Sequence, residues 1–137
     1  MERLHDKINA LIIDDEIDIC YFLSGILKKK EIPSIYVNSL SEAKSVLKTY
    51  FPSLVFLDNH LPDGLGIDFI DYIKDVCPQT SVVIITANDA VMMSKSIRPN
   101  AADFIRKPFT RERINNTIDK ITMDISNIVK EQNNSGY

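Results

Sequence analysis

The chain is poor in the groups that most often announce a reactive centre or a membrane anchor. It has two cysteines, Cys20 and Cys77, far apart and without CxxC or Cys/His spacing. That disfavours a disulfide framework or a thiolate metal site and points to reduced, buried thiols. No apolar run is long enough for a bilayer: the N-terminal "MERLHDKINALIIDDE" is soon interrupted by acids, so it reads as neither signal peptide nor span, and a cytoplasmic chain without membrane contact is expected. The formal net charge is only -3, and no Lys/Arg cluster stands out beyond "KKK" at 28–30, which disfavours direct nucleic-acid contact. The triplet reads as a solvated helix end. No Ser, Cys or His stands in a recognisable nucleophile motif.

What is present is the composition of one ordinary globular domain: 137 residues, 45% apolar and 26% charged. Short β-branched or aromatic runs recur at "NALIID" (9–14), "SIYVN" (34–38), "SLVFLD" (53–58), "SVVIIT" (81–86) and "ADFIRK" (102–107). Helical spacing lies between them. One stripe is Ile19, Phe22, Leu23, Ile26 and Leu27; a second, opened by Ser41 with Lys44 three residues on, carries Ala43, Val46 and Leu47; a third has Ile67, Ile70 and Ile73. A weaker stripe follows Asn88, and a long one starts at Thr110. Strands alternating with helices need crossover connections, so a parallel sheet covered on both faces follows: a doubly wound α/β sandwich of (βα)5 type. Ligands of such sheets bind at the carboxyl ends of the strands, beside the point where strand order reverses.

Those ends carry Asp14 and Asp15 after "LII", Asp58 after "LVFL", Thr86 after "VVII" and Lys107 after "DFIR". Three carboxylates converging on one crevice cannot all stay ionised without a cation. An all-oxygen site with few protein ligands suits Mg²⁺, which commonly binds one or two carboxylates together with a phosphate. A lysine ammonium and a threonine hydroxyl can take the phosphoryl oxygens that the metal leaves uncovered. Asp58 stands alone at the centre, and aspartate is a nucleophile that makes acyl phosphates, so Asp58 is the chosen attacking group.

The ordered set "LIIDDE", "VFLDNHLPDGLG", "VIITA" and "ADFIRKPF" resembles the receiver domain of bacterial two-component response regulators, over roughly Asn9 to Ile121. The resemblance implies a CheY-like, flavodoxin-like fold: a three-layer sandwich around a five-stranded parallel sheet of order 2-1-3-4-5. It implies that Asp58 is the phosphoacceptor, that Asp15 and Asp58 bind Mg²⁺ (with Mn²⁺ as a substitute) directly, that Asp14 acts through metal-bound water, and that His60 offers its backbone carbonyl. Thr86 matches the family's hydroxyl, Lys107 its lysine, Phe104 its switch aromatic, and Pro108 the proline whose preceding peptide is cis. The side chains of His60 and Asn88 would flank the path of water to the acyl phosphate and set its lifetime. The implied partner is a sensor histidine kinase or a phosphotransfer protein, and the chain would be a signalling switch that catalyses its own phosphorylation and dephosphorylation, not an enzyme in the ordinary sense.

Three departures from the family pattern bear on the signalling surface. Asn100 stands where glycine is usual, a residue still able to take a left-handed backbone at some cost. Pro99 should end the preceding helix early, because it cannot donate and it restricts Arg98. Phe104 replaces a frequent tyrosine and lacks the phenolic hydrogen bond.

Other readings of the same residues are available. Asp14 and Asp15 could cap the first helix, and "PDGLG" is mostly turn chemistry that holds the acceptor loop. An aspartyl phosphatase would place a second acid two residues after the nucleophile, where His60 stands; a flavodoxin-like cofactor binder would want a phosphate-cradling loop where the chain has "DDEIDI". In the tail, Ile114, Ile118, Ile121, Ile125 and Ile128 follow a 4-3-4-3 spacing resembling a heptad seam. Residues 1–122 are accordingly read as the receiver domain, and 123–137 as an extension of the last helix with a polar tail, a dimerising linker toward an output domain that the chain does not contain.

Overall fold

The computed structural model describes residues 8–87 and 100–134. The helix expected after Asn88, together with Arg98 and Pro99, lies outside the described residues.

The core of the sheet is formed by three apolar runs: β1 (Ala10–Ile13), β3 (Leu54–Asp58) and β6 (Ser81–Thr86), buried along almost their whole length. Such strands need cover on both faces. β2 (Ser34–Val37) and β7 (Asp103–Arg106) form the edges, and the order is β2-β1-β3-β6-β7 with all pairings parallel. Counting only this sheet, that is the expected 2-1-3-4-5. A small antiparallel hairpin, β4 (His60–Leu61) with β5 (Gly64–Leu65), interrupts the pattern just after the third strand. It is the "HLPDGL" turn segment, folded more tightly than its composition suggested.

Side-chain alternation divides the core. Ile12, Phe56, Ile85 and Ile105 face α1 (Ile17–Lys29) and the C-terminal helix α4 (Arg111–Asn134), meeting Leu23, Leu27, Ile114 and Ile118. Leu11, Val55, Leu57 and Ile84 face the other way, toward Ala43 of α2 (Leu40–Val46) and Phe69, Ile70 and Ile73 of α3 (Gly66–Val76). Each such side chain, fully buried, contributes about 1.5–3 kcal/mol. Among the described residues no helix is long and apolar enough to cross a membrane.

Two local expectations change. Helix α2 starts at Leu40, with its N-cap at Ser39, two residues before Ser41: Ser39 Oγ accepts from the Glu42 N–H at 3.1 Å and donates to the Glu42 carboxylate at 3.2 Å, a Ser-x-x-Glu cap that outweighs Ser41 and Lys44. The lysine triplet is only partly solvated, because Lys30 Nζ lies 2.7 Å from Asp119 and ties the end of α1 to α4. Among the described residues Glu31, at φ 61, is the non-glycine with positive φ, where the chain leaves α1 for β2.

Candidate phosphoacceptor site

Register builds the site. β1 and β3 pair Ile12 with Phe56 and Ile13 with Leu57, so the next rung sets Asp14 beside Asp58. Both continue the alternation of Ile12 and Phe56 and emerge on the α1 face. β6 and β7 pair Ile85 with Ile105, and two residues past Ile105 the same alternation delivers Lys107 to that face. The Lys107–Pro108 peptide is cis, and the Lys107 N–H donates to the Thr86 carbonyl at 2.9 Å.

The Lys107 ammonium bridges the two acids, 3.2 Å from Asp14 Oδ2 and 3.4 Å from Asp58 Oδ1. Glu16, which the sequence did not single out, joins them at 3.4 Å through Oε1. Burial pushes the Asp58 carboxyl up to about 7, with the Asp14 charge adding and Lys107 opposing. Asp14 is raised as well, chiefly by burial. Burial works against the charge of Lys107, yet the carboxylates of Asp14, Asp58 and Glu16 more than offset it and hold the ammonium above its ordinary value. The three groups are thus one electrostatic unit with too little positive charge.

The donor set fits a divalent cation. Asp14 Oδ2 is buried and, apart from its ion pair, accepts no aligned hydrogen bond, while Oδ1 takes the Glu16 N–H at 2.9 Å. The carboxylate oxygens of Asp14, Asp15 and Glu16 lie within 4.8 Å of one another, with Asp15 and Glu16 exposed. Such a cluster of hard oxygen donors opening to water is what Mg²⁺ accepts. Asp58 adjoins this trio through Lys107.

The acceptor loop is held by backbone. Asp58 Oδ1 accepts from the His60 N–H at 3.3 Å, and the His60 side chain is exposed. Asn59, buried, accepts from the Ile67 N–H through its side chain and from the Gly66 N–H through its carbonyl, pinning the start of α3 to the loop. A Cβ on Gly66 would stand 2.3 Å from the Asp58 carbonyl oxygen, so that approach demands glycine. Asp63 accepts from the Leu40 and Ser41 N–H groups, both at 2.9 Å, and fastens the hairpin to α2. Behind Asp14, Asn38 Nδ2 donates to its carbonyl at 2.8 Å and Cys20 Sγ at 3.3 Å. Burial, followed by the Asp14 charge, pushes the Cys20 thiol up to about 11, so Cys20 is a strut with no nucleophilic role.

Thr86 and Phe104 fall on the opposite face. β6 and β7 pair Ile84 with Phe104 and Thr86 with Arg106, which puts Thr86 diagonally next to Phe104 on the α3 side. Thr86 is fully buried and Phe104 half-buried against the second core cluster. Asn88 lies outside the described residues. The structure therefore brings together Asp14, Asp58 and Lys107, adds Glu16, and places Thr86 with Phe104.

Comparison with known proteins agrees with this geometry. Residues 10–119 match the family described as the response regulator receiver domain. The chain belongs to that family. It is 32% identical over 120 residues to the transcriptional regulatory protein CitB of Klebsiella pneumoniae, covering 84% of this chain and 50% of that one. A two-component response regulator from Clostridium difficile superposes with a TM-score of 0.79 at 25% identity, covering 87% of this chain and 98% of that chain. The receiver domain of NtrX from Brucella abortus gives 0.75 at 29% identity, covering 84% and 98%. This receiver domain spans about half the length of several of the curated relatives it matches.

Proposed function

We propose that Asp58 of this receiver domain accepts a phosphoryl group from a phosphohistidine on a sensor kinase or phosphotransfer protein. The observation that carries the reading is the Lys107 ammonium shared by Asp14 Oδ2 and Asp58 Oδ1 at 3.2 and 3.4 Å, on a buried, undercompensated pair of acids. A carboxylate oxygen of Asp58 attacks phosphorus; the P–N bond breaks and the imidazole leaves with its electron pair, giving an acyl phosphate. Lys107 is placed to stay with the new charge as it moves outward from the carboxylate. Water later returns the carboxylate.

Asp14, Asp15, Asp58 and the His60 carbonyl, with Glu16 at the rim, would hold Mg²⁺. When bound, the cation neutralises phosphoryl oxygens that Lys107 does not reach. Thr86 follows the phosphoryl charge, and because it shares a face with Phe104 its displacement alters the packing of that ring, biasing the surface around β7 between two states. The exposed His60 side chain, two residues after Asp58, tunes the lifetime of the acyl phosphate, a role the family resemblance also implies for the side chain at position 88. The donor is received beside Lys107, where Ile19, Phe22, Pro108 and Phe109 line an apolar groove.

The test is incubation with Mg²⁺ and acetyl phosphate. Expected is a gain of one phosphoryl mass, labile to hydroxylamine, that Asp58→Asn abolishes. An acid-stable adduct retained in Asp58→Asn would show that another residue is the acceptor.

A further inference from the structure

Beyond the phosphoacceptor chemistry, the edge of the sheet carries a surface built to meet itself. Among the described residues, β2 has a strand neighbour on one side only, β1. Natural edge strands are usually blunted by lysine, proline or inward charge. β2 has none of these: its exposed members are Ile35 and Tyr36, each 38% exposed. Beside it, α1 presents Ile17 and Tyr21, 42% and 61% exposed, with the Tyr21 ring edge-on to Tyr36 at 6.0 Å between centroids. Exposed apolar or aromatic side chains thus flank the edge on both faces: Tyr36 with Tyr21 and Ile17 on the α1 side, Ile35 on the α2 side.

The backbone gives this edge a register. Ala10 N–H donates to the Pro33 carbonyl and Asp14 N–H to the Val37 carbonyl. In a parallel ladder alternate residues bond to the same side, so Pro33, Ile35 and Val37 face β1, while Ser34 and Tyr36 turn their N–H and C=O groups outward. We propose that β2 pairs antiparallel with β2 of a second copy of this chain about a two-fold axis at Ile35, Ser34 exchanging both backbone bonds with Tyr36 of its mate.

Two independent features fit this occupant. Tyr36 and Ser34 share the α1 face of the strand and, with Ile35, form one wall of a groove whose other wall includes Ser24, Lys28 and Glu31. The two-fold sets the protruding Tyr21–Tyr36 pair of each copy over the groove of the other, the self-complementarity an isologous interface requires. Charge agrees: α1 is acidic in its first turn at Asp18 and basic in its last at Lys28 and Lys29, so antiparallel mates place acid against base at both ends. A parallel arrangement, or a partner of one sign, would lose one of these matches. On the α2 face, Ile35 meets Ile35 across the axis as a non-hydrogen-bonded pair with its Cα atoms about 4.5 Å apart. The strand is short, so association is weak, and it appears only at high concentration.

Sedimentation of the full chain from low micromolar to millimolar concentration reads this directly. Wild type is expected to rise from monomer toward dimer, and Ile35→Lys and Tyr36→Glu, both at exposed positions, to hold it monomeric with an unchanged circular dichroism spectrum. Ile35→Cys should form an intermolecular disulfide under mild oxidation at least tenfold faster than Lys48→Cys, an exposed control in the turn after α2; the native cysteines are buried and add no background. A monomer at every concentration overturns the proposal, and so does equal crosslinking of the two cysteine variants. A dimer that survives Ile35→Lys but is lost in Ile128→Asp puts the contact on α4 and overturns it too. All three measurements are made without phosphodonor, so they stand apart from the role of Asp58.

Discussion

Asp14 and Asp58 are neighbours because β1 and β3 run in the register Ile13 to Leu57; the pair is the next rung of a ladder whose earlier rungs are entirely apolar. Each strand emerges from the core on a carboxylate, and Lys107 comes from the far edge of the sheet to hold both. On the proposed reading, the charge that lets Asp58 react is one that burial opposes.

That tension has a pH signature. A carboxyl raised to about 7 in the folded chain and near 3.9 unfolded binds more protons folded than unfolded between those values. Stability of the metal-free protein therefore falls as pH rises through that window and is lowest once Asp58 is ionised. Asp58→Asn should flatten this slope and, at pH 8 in chelator, stabilise the protein by about 1–3 kcal/mol, since the lost ion pair offsets part of the relieved desolvation. Thermal unfolding across the pH range checks it; a wild-type stability that climbs from pH 5 to 8 contradicts the assignment.

Lys107 supplies the only cation within 4 Å of both acids among the described residues. Lys107→Ala should cost about 2–4 kcal/mol in chelator, because it leaves two buried carboxylates facing each other. Mg²⁺ should recover much of that loss, so the rise in melting temperature on adding metal ought to be larger for the variant than for wild type. An equal rise in both would mean that Lys107 and the metal do not share a charge problem.

At Gly66 the constraint is purely steric. Gly66→Ala drives a Cβ to 2.3 Å from the Asp58 carbonyl oxygen, which backbone cannot vacate without moving the acceptor loop. A destabilisation of about 2–3 kcal/mol is expected, together with slower gain of phosphoryl mass from acetyl phosphate. Urea denaturation and timed mass spectrometry measure the two effects. Wild-type stability in this variant would show that α3 does not press on the loop.

Much of this was legible in the residues. Continuous apolar runs ending on acids pointed to the parallel sheet and to the end of it where Asp14, Asp58 and Lys107 meet, because strands buried on both faces lose the period-two alternation of a half-exposed strand. Glu16 was not legible: as an exposed acid at a helix start it looks like any N-terminal charge, and only the fold brings Lys107 to it. Gly66 was visible as part of a turn, but a close approach of two backbones leaves no trace in composition. The Ser-x-x-Glu cap at Ser39 and Glu42 was readable and was displaced by attention to Ser41. Arg113 and Asp103 could not have been paired from sequence, since a polar residue in an edge strand and one in a following helix have many alternatives.

That last pair bears on Phe104, the proposed switch aromatic. Asp103 accepts from the Phe104 N–H at 2.8 Å and from Arg113 Nη1 at 3.0 Å, and Arg113 Nη2 donates to the Phe104 carbonyl at 2.9 Å. Thr117 donates to the same carboxylate at 2.8 Å. The backbone of Phe104 is therefore clamped on both sides, so any signal passing through this residue must move its ring and not its main chain. Burial alone would raise the Asp103 carboxyl, but the bonds from Arg113, Thr117 and Phe104 outweigh it and hold it below the usual carboxylate range. With the folded value depressed, the stabilisation is fully present above about pH 4 and is lost as pH falls through the folded value. Asp103→Asn should cost about 1 kcal/mol at pH 7, the pair being partly solvated, and progressively less as the carboxylate is protonated in acid, so the two stability curves converge there. Curves that stay parallel down to pH 2 would show that the carboxylate charge is not what holds Phe104 in place.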